Sequence, residues 1–480
     1  MATKPKTLEL DATSPAIAND IRNSIGGTYA DTIPAAVEVG ETLPTGRAAT
    51  YADSLQSLRD IGQALFQYQP HQNAFLTELV NRIGLTLVSS RLYRNPWARF
   101  KRGVLDYGET VEELFVEIGQ AHQFNPEVAE TELFKREIPD VRAAFHTMNY
   151  QKFYKKTISE PQLRAAFLSY NGLTDLVAKI VESMTTAANF DERIMMKYMI
   201  AHAILNGKMG VQAITAPTLE DAKPALATMR ELSLNLQDMR TDYNFAGVTT
   251  YTDPRYQIVF LSNKFSSVVD VGALAMAFNL QYTEFIGNTV GINQFSFLPN
   301  EIARLNNLIN LDPAVPVFTA EQQQILDQVQ AVVVDSNWFM IFDNLQEMKQ
   351  KQNEEGLYWN YWLHAWKTFS TSPFANAVAL TTGETAVTGL TLVPATIAIS
   401  SIPATGGNLQ LSAKVTGTGV YSQKVNWTSS NTDRIAVSST GLVTFKPYTD
   451  AQKAELLGTT VTATSAENPS VTAVFTVTES

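Results

Sequence analysis

The sequence predicts an α+β body followed by a small all-β sandwich. Three observations predict it. A stretch at 335–381 has the composition of long buried strands, a segment at 176–205 has helical periodicity, and the composition changes after Gly383. Beyond that glycine charged residues become sparse, Thr, Ser, Val and Ala dominate, and short alternating runs replace helical patterns.

The aromatic stretch comes first because it should be the densest part of the core. Trp338, Trp359, Trp362 and Trp366, four of the six tryptophans, lie in it. Two apolar runs, 338–342 and 357–369, flank a polar segment at 346–355. The spacing of Trp359, Trp362, Leu363 and Trp366 fits a helical stripe, while the continuous Tyr/Trp/Phe content fits a strand apolar on both faces. Gly356 opens the run and Ser372-Pro373 breaks it, which favours strand, and 374–380 reads as a second strand. A sheet contacted on both faces suits a protein packed against its neighbours, and equally an ordinary buried core.

The remaining elements follow in order. Residues 1–50 are rich in Thr, Ala, Pro and Gly and read as an extended arm, ordered only against something else. Leu55, Leu58, Ile61 and Leu65, then Leu76, Leu79 and Ile83, give amphipathic helix over 51–88. Residues 85–117 read as a long hairpin with turn signals at Asn95-Pro96 and Gly103. Its tip carries Arg91, Arg94, Arg99, Lys101 and Arg102 interleaved with Tyr93, Trp97 and Phe100; Asp106, Glu109, Glu112, Glu113 and Glu117 follow. A basic patch with aromatics fits nucleic-acid binding, but the adjacent acidic run favours contact with acids of the same or a neighbouring chain.

Residues 122–175 read as short helices and loops. The helix at 176–205 has Asn189 and Asp191 midway, which mark a kink or a break. Between 206 and 334, helix signals at 219–236, 268–278 and 320–330 alternate with strands at 256–261 and 331–334. After a boundary near 381–387, strands are expected at 389–393, 408–415, 424–429, 435–438, 441–445, 459–464 and 471–477, with helix near 448–457.

The chain carries 47 Asp and Glu against 36 Lys and Arg, a formal charge of −11 over 480 residues. That length allows two or three domains, and that balance argues against a dedicated nucleic-acid binder. There is no cysteine, hence no disulfide, zinc-thiolate site or thiol nucleophile. No run has signal-peptide or membrane-spanning character, so the chain is expected to be made and kept in the cytosol. The phosphate-cradling, HExxH and GxSxG signatures are missing, and the five histidines are scattered. His364 beside Asp343, and the pair Glu354/Glu355, are the candidates for acid–base chemistry. His364 reads better as a core or interface residue, and adjacent carboxylates on a strand point to opposite faces.

Two resemblances give these readings a function. VNWTSSNTDRIAVSSTGLVTF at 425–445 and VTATSAENPSVTAVFTVT at 461–478 resemble a bacterial immunoglobulin-like domain of group 2 (Big-2). That likeness implies that Trp427 packs the sandwich core and Gly441 makes a tight turn. RIGLTLVSSRLYRNPWARFKRG at 82–103, FKREIPDVRAAFHTMNYQKFYKKTI at 134–158, WFMIFDNL at 338–345 and GLYWNYWLHAWKTFSTSPFANAVAL at 356–380 resemble the major capsid proteins of φ29-like small podoviruses.

This second likeness implies an HK97-type capsid fold over 1–384. The amino-terminal arm would lie in 1–80, an extended E-loop in 85–117, a peripheral domain in 118–205 and 335–384, and an axial domain in 206–334. The Big-2 domain would occupy 385–480. It implies a non-enzymatic subunit of hexamers and pentamers, without cofactor or metal. Arg94, Trp97, Arg99, Lys101 and Arg102 would reach over a neighbouring copy. A scaffolding protein, a portal or connector at one vertex and packaged DNA are implied partners, with head fibres or host-surface glycans at the immunoglobulin-like domain. The virion is the implied location, after assembly in the host cytoplasm. A surface adhesin carrying a Big-2 domain is the alternative, and a carbohydrate-active enzyme built on the Trp/Tyr stretch is a third reading.

Overall fold

The computed structural model describes residues 13–86, 94–105, 109–119, 121, 140–168, 172–216, 223–268, 288–309 and 317–479. The chain divides into two compact units, each assembled from three separate segments.

The first unit comprises Met1–Glu109, Met148–Met195 and Ile341–Thr368. Its centre is a four-stranded sheet in the order Gly103–Val104, Phe339–Asn353, Tyr358–Thr371, Tyr150–Ser159. The aromatic run is a strand, antiparallel to Tyr150–Ser159, with Trp359 opposite Ile158 and Leu363 opposite Tyr154. Its side chains alternate as a pleated strand requires. Trp359, Tyr361, Leu363 and Ala365 are buried, while Asn360, Trp362, His364 and Trp366 are half-buried. The buried row meets Ile17, Ile21, Leu58, Ile61, Phe75 and Leu79 from the helices Ser14–Ile25, Tyr51–Gln67 and Gln69–Thr86.

The described part of the amino-terminal arm therefore packs on its own chain. Ile17 and Ile21 sit one helical turn apart among small residues and enter the core together. The following segment is tied down by Arg22, whose guanidinium donates to the carbonyls of Ala30 and Ile33, and by Asn19, which pairs with the Ala36 backbone. The helix Gly172–Leu205 runs unbroken past Asn189 and Asp191. Asp191 is buried and accepts a 2.8 Å hydrogen bond from the Tyr154 hydroxyl, which takes its carboxylate away from the local backbone.

The second unit comprises Thr110–Thr147, Met196–Met340 and Phe369–Ser480. A five-stranded sheet runs in the order Gly210–Ala213, Ala377–Thr381, Val329–Asp335, Gln257–Ser262, Thr289–Ile292. The helix Lys223–Asn235 lays Ala225, Met229 and Leu232 on Val259, Leu261, Val333 and Val378. The helix expected at 320–330 stops earlier, as Ala320–Asp327 with a Thr319 capping box, and strand resumes at Val329. The helix expected at 268–278 falls, beyond Val268, outside the described residues. The segment read as short helices and loops contains strand at Val141–His146 and Tyr150–Ser159; in the first, Arg142 and His146 take the inward positions while Val141 and Phe145 are exposed, which inverts the usual alternation.

From Thr385 onward the chain is strand-rich, with sheets whose inner side chains form one core. Leu411, Ile435, Val443, Phe445, Leu456, Val461, Ala463 and Phe475 are all buried there. The run expected at 408–415 divides at Leu411 into Gly407–Gln410 and Ser412–Gly419, and the others lie within two or three residues of expectation, save a longer first strand, Thr385–Val393. Among the described residues, no helix is long and apolar enough to cross a membrane.

Candidate assembly surface

Among the described residues, the far end of the stretch expected as a hairpin over 85–117 pairs beyond that stretch. Val111–Val116 pairs antiparallel with Val141–His146, with Glu112 opposite Phe145, Leu114 opposite Ala143 and Val116 opposite Val141. Residues 87–93, including Arg91 and Tyr93, lie outside the described residues. The two hairpin faces differ sharply. One is anchored: Phe115 stacks on Phe374 at 5.6 Å, and Glu113 accepts from Ser372 Oγ at 2.7 Å and lies 3.2 Å from His146. Arg142 donates to the Ala246 carbonyl. The opposite face presents Leu114, Val116, Val141 and Phe145, with Phe145 65% and Leu114 61% exposed. Glu112, opposite Phe145, shares this otherwise apolar face.

The five residues expected at the hairpin tip belong to a loop of the first unit instead. Trp97 is 1% exposed, with the Arg193 guanidinium 5.8 Å from its ring, so it is a core residue of its own chain. Lys101 is likewise engaged within the chain. Its ammonium lies 2.6 Å from Asp343 and 3.4 Å from Glu192, and Lys367 bridges the same two carboxylates. Asn95 donates to Glu192 at 2.7 Å.

Burial opposes the charge of Lys101, but Glu192 and Asp343 outweigh it and hold its pKa above the ordinary value. Burial also opposes the Asp343 carboxylate, and Lys367 and Lys101 outweigh it and hold its pKa below the ordinary range. Hydrogen bonds from Arg102 N–H to the Ile341 carbonyl and from Leu105 N–H to the Asp343 carbonyl fix the loop to the sheet. Arg94, Arg99 and Arg102 are exposed.

The other candidates are placed as follows. His364 faces Phe153, with ring centroids 5.9 Å apart, and Asp343 is taken up by the two lysines. Glu354 and Glu355 lie in the exposed turn between the long strands. Trp427 packs against the sandwich core, and Gly441 adopts φ +81° where a Cβ would stand 2.8 Å from the Trp427 ring. The hairpin pairing escaped sequence reading because its strands are separated by 117–140, and because Glu112 and Glu113 look like a solvated acidic run. Their alternation around Leu114 and Phe115 is the signal that finds it.

The family model described as Phi29-like phage major capsid protein matches residues 19–381. The chain belongs to that family. The major capsid protein of Bacillus phage B103 is 33% identical over 435 residues, 89% of each chain. That of Bacillus phage PZA is 32% identical over 418 residues, 86% of this chain and 82% of its own. Among solved structures, the capsid of Staphylococcus phage Andhra matches with TM-score 0.47 and 15% identity, covering 62% of this chain and 86% of that one. The α+β capsid class expected from the sequence stands with family membership, and the chain is a structural component of the virion head rather than an adhesin.

Proposed function

We propose that the chain assembles into hexamers and pentamers of an icosahedral-type shell around packaged double-stranded DNA, and that the hairpin is its main arm onto a neighbouring copy. The observation behind this reading is the outward apolar face of Leu114, Val116, Val141 and Phe145 on a hairpin whose other face is bolted down. Burying those side chains against a second copy contributes about 1.5–3 kcal/mol for each one fully covered. Arg94, Arg99 and Arg102 add exposed charges that steer and register the contact, each worth roughly 0–1 kcal/mol.

In the same reading the acidic chain keeps the inner wall from gripping DNA, which is contacted without sequence specificity. A scaffolding protein guides assembly in the host cytoplasm and a portal or connector replaces one vertex. The capsid fold occupies 1–384. The module at 385–480 is a Big-2 domain on the outer surface, meeting head fibres or host-surface glycans. The protein has no catalytic activity.

Electron microscopy of the chain, expressed alone and with a scaffolding protein, tests this reading. Uniform closed shells from the native chain, and soluble folded subunits from Leu114→Ser/Phe145→Ser, are the expected results. Shells formed equally well by the double variant would remove the hairpin from the interface.

A further inference from the structure

The second unit encloses a cleft of about 990 Å³ between the root of the hairpin, the loop around Gly247 and the strand-rich carboxy-terminal module. Asp140, Arg142, Lys424, Asn426, Trp427 and Ser439 are on its wall. Arg142 is ion-paired within the chain, donating to the Ala246 carbonyl, to Asp140 and to Ser439 Oγ. Lys424 is different. It is 9% exposed, and its ammonium donates to the Thr241 carbonyl. Among the described residues no carboxylate reaches it. The nearby Asp242 is ion-paired with Arg240 at 2.9 Å and acts on Lys424 only from a distance.

An ammonium carries three N–H donors, so two remain for a group that enters the cleft. A buried cation without an anionic partner is costly, and chains ordinarily pair such a charge or neutralise it. Burial lowers the pKa of Lys424 to about 8, which still leaves it mostly charged at neutral pH. The site therefore has an unmet demand for an anion. The half-buried Trp427 lines the same cleft, as do Ser412, Ser439 and Thr440. An aromatic residue and several hydroxyl groups in one cleft suit a hydroxylated ring, and the volume is that of a small-molecule pocket.

We propose that this cleft binds an anionic saccharide, a sugar unit bearing a carboxylate or a phosphate that pairs with Lys424 while its ring lies against Trp427. The proposal rests on the outer-surface glycan reading for the source of the ligand, and gives that reading a site.

Isothermal titration of the full-length chain and of assembled particles with tetragalacturonate, glucose 1-phosphate and neutral maltotetraose tests it. Saturable binding of at least one anionic probe is expected, about tenfold or more tighter than maltotetraose and about tenfold or more weaker in Lys424→Gln. The two anionic probes separate a carboxylate ligand from a phosphate one. Binding of neither, equal binding of maltotetraose, or full retention in Lys424→Gln would overturn the proposal. A particle map with a neighbouring copy's carboxylate on Lys424 would do the same. If Lys424→Gln loses its native circular dichroism, Lys424→Met, which keeps the buried stem, is judged by the same criterion. Particle yield without saccharide reads the assembly proposal separately.

Discussion

Lys101 and Asp343 lie 242 residues apart in the chain and 2.6 Å apart in space. With Lys367 and Glu192 they close a ring in which two ammoniums alternate with two carboxylates. The ring joins the loop 94–105, the long helix and both long strands of the first unit. Neutralising one member leaves a partly buried lysine short of a partner. Asp343→Asn is therefore expected to cost about 2–3 kcal/mol, measured by thermal or denaturant unfolding. Lys101→Met/Asp343→Leu should recover much of that loss, because an apolar pair needs no compensation. An unchanged midpoint in Asp343→Asn would show that the ring adds nothing.

The same ring sets a pH window. The Asp343 pKa is depressed, so its contribution is present above about 3.9 and disappears as pH falls through the folded value. The Lys101 pKa is raised, so its contribution is full below about 10.4 and disappears as pH rises through the folded value. Wild-type stability minus that of Lys101→Met/Asp343→Leu, followed against pH, should fall in acid and again in strong base. A pH-independent difference would contradict this.

Trp97 and Arg99 are two residues apart and should behave oppositely. Trp97→Ala empties a fully buried site and is expected to cost roughly 3–5 kcal/mol of subunit stability. Arg99 is exposed, so Arg99→Ala should leave subunit stability within about 0.5 kcal/mol and act, if at all, on particle yield. Chemical denaturation of both variants decides the matter; a stable Trp97→Ala subunit would place the indole outside the core.

Gly441 has no room for a side chain and the wrong φ for one. A Cβ would meet the Trp427 ring at 2.8 Å and the Leu411 carbonyl at 2.9 Å, with φ at +81°. Gly441→Ala combines about 1–2 kcal/mol of left-handed backbone cost with about 1–3 kcal/mol of overpacking. The fluorescence of Trp427 during unfolding should report the loss at this module.

Local patterns were readable where turn chemistry and periodicity agreed. Gly356 and Ser372-Pro373 framed the aromatic strand, and Trp359, Tyr361 and Leu363 do alternate inward along it. The glycine-punctuated strands after Gly383 were legible for the same reason. What escaped was non-local. Nothing near Lys101 reveals that the Glu192, Asp343 and Lys367 needed to fix its loop come from 91 to 266 residues further on. The basic patch consequently read as an outward tip, although among its described residues Trp97 and Phe100 are buried and Arg94, Arg99 and Arg102 are exposed. Val111–Val116 finds its partner across 24 intervening residues, and a charged run with two glutamates looked solvated. The amino-terminal arm looked bare because Ile17, Ile21, Tyr29 and Ile33 are few among small residues, yet all four are buried.

Each compact unit is threaded from three separate segments, and the first needs Ile341–Thr368 to complete its sheet. A ribosome adding about 5–20 residues per second therefore needs roughly 20–70 s before the strand that receives the amino-terminal helices exists. Until then neither unit can close, and a nascent chain cannot offer a finished surface to a neighbour emerging from the next ribosome on the same message. Discontinuity in the chain thus acts as a timer, since neither unit closes before residues 341–368 have been made.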